Sequence, residues 1–296
     1  MALDARAVVS TTVKAAAAPP PVCGTNVIAS NASGAEVLLV SDAWNGSTWV
    51  LEVCATTDGV HWSGPTAFDN ATSPVAVIAR NGRAVLVWSN EVPSTGAFSM
   101  LASILPPGGS WSSPATLSVA YGVPSIRMDS SGNALAMWAS AGTSLDSPVQ
   151  TAVLAASTTA WTTPLTLAPF GGLAALVGNT AGDVLVTWRT RTTNDIQGAA
   201  GTILGGFRPT VTFSPTNGYV RNPAVPAINS AGDAVVAWES TFTGTGYATM
   251  TPSGTWSAAT QLSSTESRVT VVINAAGNFV LTWTASDGDV EMLTVP

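Results

Sequence analysis

An all-β chain built from six repeats is what this sequence predicts, on three observations. First, six segments align on a glycine: NASGAEVLLV at Gly34, ARNGRAVLVW at Gly82, DSSGNALAMW at Gly132, NTAGDVLVTW at Gly182, NSAGDAVVAW at Gly232 and NAAGNFVLTW at Gly277. Their spacings of 48, 50, 50, 50 and 45 residues are those of a repeated supersecondary unit. Second, each glycine is followed by a run that is apolar at consecutive positions, such as Val235, Val236, Ala237 and Trp238. A strand with one wet face alternates, so a continuous run reads as a strand buried on both faces. Third, an aromatic-led motif recurs about twenty residues before the next glycine: WSGPTAF at Trp62, WSSPATL at Trp111, WTTPLTL at Trp161, FRPTVTF at Phe207 and WSAATQL at Trp256.

Within a unit the turn comes first. Three residues before the glycine stands Asn or Asp in five copies, Asn31, Asp129, Asn179, Asn229 and Asn274, with Ala79 the exception. An Asx side chain accepts backbone N–H bonds two residues on, and glycine takes the φ > 0 position, so the pattern predicts a tight hairpin. The second strand ends six residues after the glycine, on Trp88, Trp138, Trp188, Trp238 and Trp283, with Val40 in the first copy. A third strand-like run follows, as in Val149–Ser157. The outer strand opens on the aromatic motif. Proline stands three residues after the aromatic in three copies, and a residue without an N–H belongs on a sheet edge.

Four short strands per unit, repeated around an axis, make a β-propeller. The predicted fold is a six-bladed β-propeller of four-stranded blades, one domain over residues 1–296. The repeats run roughly over 25–68, 74–117, 124–167, 173–213, 223–262 and 268–296. Six hairpins have only five outer strands after them. The sixth is expected from Ala5–Val13, ARAVVSTTV, so that residues 1–14 close the ring on the C-terminal blade and 15–24 form an Ala/Pro linker. A solenoid would need polar caps at both ends, and the sequence offers none.

Only 9% of residues are charged and 46% are hydrophobic, yet polar residues interrupt every apolar run short of the ~18 residues of a membrane span. Eleven Trp with many Val, Leu and Ile can fill a core, which excludes disorder. Ten Lys plus Arg against seventeen Asp plus Glu give −7, which leaves no electrostatic footprint for nucleic acid. One His and two Cys make no metal cage, and a Ser-His-Asp set is not arguable because the single His, His61, would have to be its base. No glycine-rich loop follows a strand and opens a helix, and the Asx turns hold too few carboxylates for calcium. No metal or cofactor is expected. The N-terminal stretch lacks the basic start and apolar core of a secretory signal. Lys14 is the only lysine, while Ser, Thr, Ala and Gly abound, a composition that leans towards a secreted or cell-surface protein. The repeat reading places Cys23 and Cys54 at opposite ends of non-adjacent strands. Buried free thiols are therefore expected, with a disulfide in an oxidising compartment as the alternative.

Before Trp62 the chain reads Thr-Thr-Asp-Gly-Val-His-Trp, from Thr56. This resembles the Asp-box of bacterial sialidase-like (BNR-type) propellers, a Ser/Thr-x-Asp-x-Gly-x-x-Trp turn, and is one residue shorter. The turns PPGGSW at Trp111, ASTTAW at Trp161 and PSGTW at Trp256 lack the Asp. The resemblance implies a six-bladed propeller with a structural turn between third and outer strands. It implies no catalytic residue. Sialidases carry an arginine triad, a Tyr–Glu pair and an Asp acid/base, and no segment here matches them residue by residue; Phe207-Arg208-Pro209 lies on an outer strand rather than opening the first blade. His61 reads as a solvated turn residue.

By fold-level analogy, propeller ligands meet the face made by the second-to-third and outer-to-first connections. Here the former are Ser41–Thr48, Ser89–Gly96, Ala139–Ser147, Arg189–Gly198, Glu239–Gly246 and Thr284–Gly288, and the latter include Ala120–Gly122, Pro169–Gly172 and Thr216–Asn222. They would gather Asp42, Trp44, Glu91, Tyr121, Arg189, Arg191, Asp195, Tyr219, Arg221, Glu239, Phe242, Tyr247 and Asp287 on one mouth. Of the eleven Trp, only Trp44 and Trp49 stand outside repeat positions, which makes Trp44 the tryptophan expected to meet a ligand. Aromatic faces with scattered polar groups suit sugar or peptide recognition; the competing account is that charges go to loops once blades are buried. The expected function is a non-catalytic binding or scaffold propeller that recognises a glycan or a protein surface. Two alternatives stand beside it. One is a glycoside hydrolase or lyase using a pair among Asp42, Glu91, Glu239 and Asp287, which needs carboxylates roughly 5–9.5 Å apart. The other is a structural surface component that self-associates through blade edges, which the low charge leaves unguarded.

Overall fold

A computed structural model describes residues 27–31, 36–58, 60–92, 95–140, 146–213, 222–240, 244–262, 268–284 and 288–296. These residues form 23 strands and no helix, arranged in five antiparallel sheets. The first runs in order β1 (Val27–Ser30), β2 (Val37–Trp44), β3 (Trp49–Thr56) and β4 (Trp62–Asp69). The second is β5 (Ala71–Ile78), β6 (Ala84–Val92), β7 (Ala97–Leu105) and β8 (Ala115–Ser118). A large sheet follows: β9 (Val123–Met128), β10 (Ala134–Ala139), β11 (Ser147–Leu154), β12 (Leu165–Gly178), β13 (Asp183–Thr190) and β14 (Ile196–Thr202), edged by β15 (Gly206–Phe207) and β16 (Val211–Thr212). The fourth holds β17 (Val225–Ile228), β18 (Ala234–Ser240), β19 (Gly244–Met250) and β20 (Thr260–Gln261). The last has three strands, β21 (Val269–Ile273), β22 (Phe279–Thr284) and β23 (Val290–Val295).

Five sheets stand where six were expected, because two units share a strand. The start of β12 pairs with β11 as an outer strand, and its end pairs with β13 as a first strand. The chain between them stays within one strand, bulged between Gly172 and Ala175 with Leu173 at φ 49. Between the first two units the same passage is broken at Asn70, which sits at φ 58. All six first–second hairpins are present, and five outer edges follow them. The segment Ala5–Val13 and the Gly34 turn lie outside the described residues.

The hairpins have the expected chemistry. Asp129 Oδ1 accepts from the N–H groups of Ser131 and Asn133, both at 2.9 Å, and Gly132 takes φ 87. Asn179 and Asn229 repeat those bonds. They also join units: Asn179 Nδ2 donates to the Asn229 carbonyl at 2.8 Å, and Asn229 Nδ2 to the Asn274 carbonyl at 3.1 Å. Ala79 can do neither. There Arg83, one residue past the turn glycine, reaches the carbonyls of Gly132, Ala155 and Thr158 in the next unit.

The second strands are the core. β10 and β18 are buried at every position, and Trp88, Trp138, Trp188 and Trp238 are almost wholly inaccessible. Each unit packs on the next through apolar clusters, such as Val85, Val87 and Met100 against Ile126, Ala134 and Trp138. First strands contact in succession, β1 with β5, β5 with β9, β9 with β12, β12 with β17 and β17 with β21. Among the described residues no comparable packing joins β21 or β22 back to β1 or β2. The outward faces of the two end sheets leave Ile28, Val272, Val290 and Met292 exposed. Pro65 lies on β4, at a sheet edge, where its missing N–H leaves no ladder bond unmade.

Cys54 corrects one expectation. It is disulfide-bonded and fully buried, not a free thiol. The chain's other cysteine, Cys23, lies outside the described residues. The sequence argument located both cysteines by strand order alone, and that has no means of placing a cysteine that precedes the first strand.

Candidate functional site

Second strands end, third strands begin and outer strands pass into the next unit at one end of the molecule. The four exposed Trp, Tyr and Phe side chains among the described residues all lie there: Trp44 at 55%, Trp49 at 43%, Tyr121 at 42% and Phe170 at 50% exposure. The repeat tryptophans sit deeper in their strands and are covered by the neighbouring unit. Trp44, Trp49 and Tyr121 stand at or beyond strand ends, and Phe170 lies where β12 passes from β11 to β13.

Trp44 and Trp49 face each other as the last cross-strand pair of the β2–β3 hairpin. The turn closes because Asn45 Oδ1 accepts from the N–H groups of Ser47 and Thr48, at 3.0 and 2.9 Å. The two indoles meet edge to face, centroids 5.9 Å apart and planes at 64°, a favoured aromatic geometry. They form one wall of a cleft of about 240 Å³ completed by Thr48, Asn70, Thr72 and Glu91. Asn70 is held from two sides. Its carbonyl accepts the Glu91 N–H at 3.0 Å, and its Oδ1 accepts the Thr48 hydroxyl. A bulge between Thr72 and Val75, with Ser73 at φ 52, ends the regular pairing just past Thr72. Glu91 is exposed, and among the described residues its carboxylate makes no hydrogen bond or ion pair.

The next junctions carry aromatics too. Tyr121 meets Phe98 edge to face, centroids 4.9 Å apart at 71°. Glu91 and Arg191 occupy the same place in their repeats, each nine residues past its turn glycine, Gly82 or Gly182. Arg191 is not free: it pairs with Asp146 at 2.8 Å, and its guanidinium lies 5.3 Å from the Phe170 ring centre.

The predicted mouth residues thus divide. Trp44, Glu91, Tyr121 and Arg191 lie exposed at the expected end, with Asp42 partly covered on β2. Four others are corrected. Arg189 and Asp195 are buried at the β13–β14 hairpin. Glu239 is buried and spent on structure, with Oε1 accepting the Val269 N–H and Oε2 the Asn222 amide, both at 2.8 Å. Tyr247 lies within β19 and packs on Phe279 of the next sheet. Arg189, Glu239 and Tyr247 are in β13, β18 and β19 because pairing continues past the buried run, as it also does through Ser41–Trp44 and Ser89–Val92; Asp195 stays in the connection, just before β14, and is buried there. Tyr219, Arg221, Phe242 and Asp287 lie outside the described residues. Phe170, Phe98, Asn70 and Thr72 were missed; only the place of Phe170 within the Pro169–Gly172 connection pointed to it.

The opposite end is built differently. At the Thr56–Trp62 turn, Asp58 Oδ1 accepts from the N–H groups of Val60 and His61, both at 2.8 Å, and Oδ2 meets His61 Nδ1 at 2.6 Å. The bond with His61 and those backbone donors hold the Asp58 carboxyl far below the usual carboxylate range. This is a turn lock, and His61 is solvated as expected. A wider cleft, about 400 Å³, also lies towards this end, between Trp161, Leu165, Leu204 and Phe207. Its lining holds no ionisable group, and the Thr158 and Thr162 hydroxyls there are already engaged by backbone. A cleft with no charged group to orient a ligand is the poorer site. Among the described residues no cluster of His, Cys, Asp and Glu could hold a metal ion.

No protein-family model and no curated protein matches this sequence. Solved structures do align. A prolyl endopeptidase superposes with TM-score 0.54 at 11% identity over 92% of this chain and 42% of its own. Prolyl oligopeptidase B from Galerina marginata gives 0.53 at 7% identity, over 92% and 40%. A PL25 ulvan lyase, a polysaccharide lyase, gives 0.52 at 8% identity over 92% and 80%. The chain spans under half the length of either peptidase. At these identities the likeness is one of fold. Successive antiparallel sheets, each ordered as in the chain and stacked face on face, make that fold propeller-like.

Proposed function

We propose that this chain is a six-bladed β-propeller closed by its N-terminal strand, and that the end bearing Trp44, Trp49, Tyr121 and Phe170 binds glycan without acting on it chemically. The observation that carries the binding role is the segregation of every exposed Trp, Tyr and Phe among the described residues to that one end. Sugar rings stack on such faces while nearby polar groups orient them. The small cleft between the first two sheets suits a single sugar residue better than a broad protein surface. Binding is favoured over catalysis because Glu239, one of the four candidate carboxylates, has both oxygens engaged. The ulvan lyase of similar fold acts on a polysaccharide, but peptidases share the fold as well, so the fold alone does not choose the ligand.

Closure is supported by the strand count, by the exposure of β23 along most of its length, and by the uncovered Val272, Val290 and Met292. We read the Thr56–Trp62 turn as a shortened Asp-box. A disulfide at Cys54 supports an extracytoplasmic setting. A second reading, self-association through the last sheet, draws on the same apolar residues; light scattering separates them, since a monomer at all concentrations favours closure within one chain.

The binding role is tested by affinity electrophoresis in gels containing polysaccharide. Wild type should be retarded, Trp44→Ala and Tyr121→Ala less so, and Leu204→Ser, at the opposite end, as strongly as wild type. Equal retardation of all four contradicts the reading.

A further inference from the structure

The cleft between the first and second sheets holds one charged side chain, Glu91, and no lysine, arginine or histidine. We infer that this cleft takes a single neutral pyranose ring, and that Glu91 excludes acidic sugars such as uronates, sialates and sulfated rings. The inference deepens the glycan reading and rests on it.

Size comes first. About 240 Å³ is below the roughly 300–1,000 Å³ of sites for drug-sized ligands, so one ring fits and a chain must leave the cleft on both sides. The wall is aromatic: exposed Trp44 and Trp49 offer apolar ring faces to the C–H side of a sugar. The polar groups then define what the ring must present. Ionised Glu91 only accepts hydrogen bonds and can take two O–H donors at once. Asn70 has its Oδ1 committed to Thr48, which turns its amide N–H groups towards an acceptor. Thr72 adds a hydroxyl whose proton goes to the Ser89 carbonyl at 3.5 Å, so towards a ligand it accepts. A ring with adjacent hydroxyls satisfies all three.

Charge decides the rest. A carboxylate or sulfate on the ligand would face Glu91 with no cation lining the cleft to offset the repulsion. The matching position of the fourth unit shows the contrast. Arg191 stands where Glu91 stands, but Asp146 neutralises it and Phe170 lies against it. Of these two equivalent junctions, only the one at Glu91 keeps an uncompensated charge beside open aromatic faces.

The test is titration calorimetry of the full chain against two panels at low salt. One holds neutral oligosaccharides (cello-, manno-, xylo- and galacto-series); the other holds acidic ones (oligogalacturonates, sialyllactose, chondroitin sulfate fragments). Neutral sugars should bind, and their acidic counterparts about tenfold or more weaker, a gap that narrows in high salt. Glu91→Gln should weaken neutral binding and strengthen acidic binding, shrinking the gap, with an unchanged melting temperature because the side chain holds nothing else in place. A wild type that prefers acidic sugars, or a gap unchanged by Glu91→Gln, overturns the inference while leaving the glycan reading standing. No heat with either panel removes the glycan reading and the inference together.

Discussion

Asn229 shows what one atom decides in a repeat turn. Its Oδ1 accepts from the N–H groups of Ala231 and Asp233, while its Nδ2 donates to the Asp233 carboxylate at 2.9 Å and to the Asn274 carbonyl of the next unit. Asn229→Asp keeps the acceptor and sets a second carboxylate against Asp233. We expect a loss of about 2 kcal/mol in urea unfolding at neutral pH. The new carboxyl titrates above its unfolded value, so the native state binds the extra proton; the deficit should shrink as pH falls towards about 4. A deficit unchanged with pH would contradict this account. Asx and glycine were legible in the sequence because their bonds are local. The role of Arg83 was not, since its carbonyl partners lie 49 to 75 residues away. Arg83→Met keeps the aliphatic stem and removes these bonds, which should cost about 3 kcal/mol, read by the same unfolding experiment.

The second strands explain why stability and recognition fall on different tryptophans. Trp188 on β13 is wholly buried, and Trp188→Ala should cost about 3–5 kcal/mol. Trp44→Ala, at an exposed hairpin tip, should stay within about 0.5 kcal/mol of wild type while losing ligand. Thermal melts of the two variants side by side check the pair; comparable destabilisation would mean that Trp44 is packed after all. Consecutive apolar runs made the second strands readable. Strand ends were not, because Ser89, Asn90 and Glu91 are polar yet stay in the β6 ladder: pairing needs backbone partners, not buried side chains. The outer motifs over-promised for the opposite reason. Beyond Phe207 and Trp256 only two-residue strands form, β16 and β20, on an edge where exposed Thr and Ser gain little from burial. The shared strand β12 was hidden because its Gly171 and Gly172 read as a turn, while their backbone stays extended.

At the scale of the whole molecule, six hairpins with five outer edges leave β23 as the unguarded margin. Deleting residues 1–14 should lower the melting temperature sharply and drive concentration-dependent association through the bared edge; a truncated chain that melts like the full one and stays monomeric would end the closure idea. The mouth was legible as an end of the molecule because repeat arithmetic alone places connections. Which side chains open onto it was not legible. Burial of Arg189 and Asp195 and the engagement of Glu239 depend on how far a hairpin climbs and what lies across the sheet interface, and neither leaves a local mark. The most direct measurement of the central claim is hydrogen exchange read by mass spectrometry, with and without a bound neutral oligosaccharide. The account predicts slowed exchange confined to segments around 42–50, 70–72, 90–98, 119–122 and 169–172, with the Asx–glycine turns at 129–133, 179–183 and 229–233 unaffected. Protection at those turns, or around Trp161 and Leu204, would contradict it.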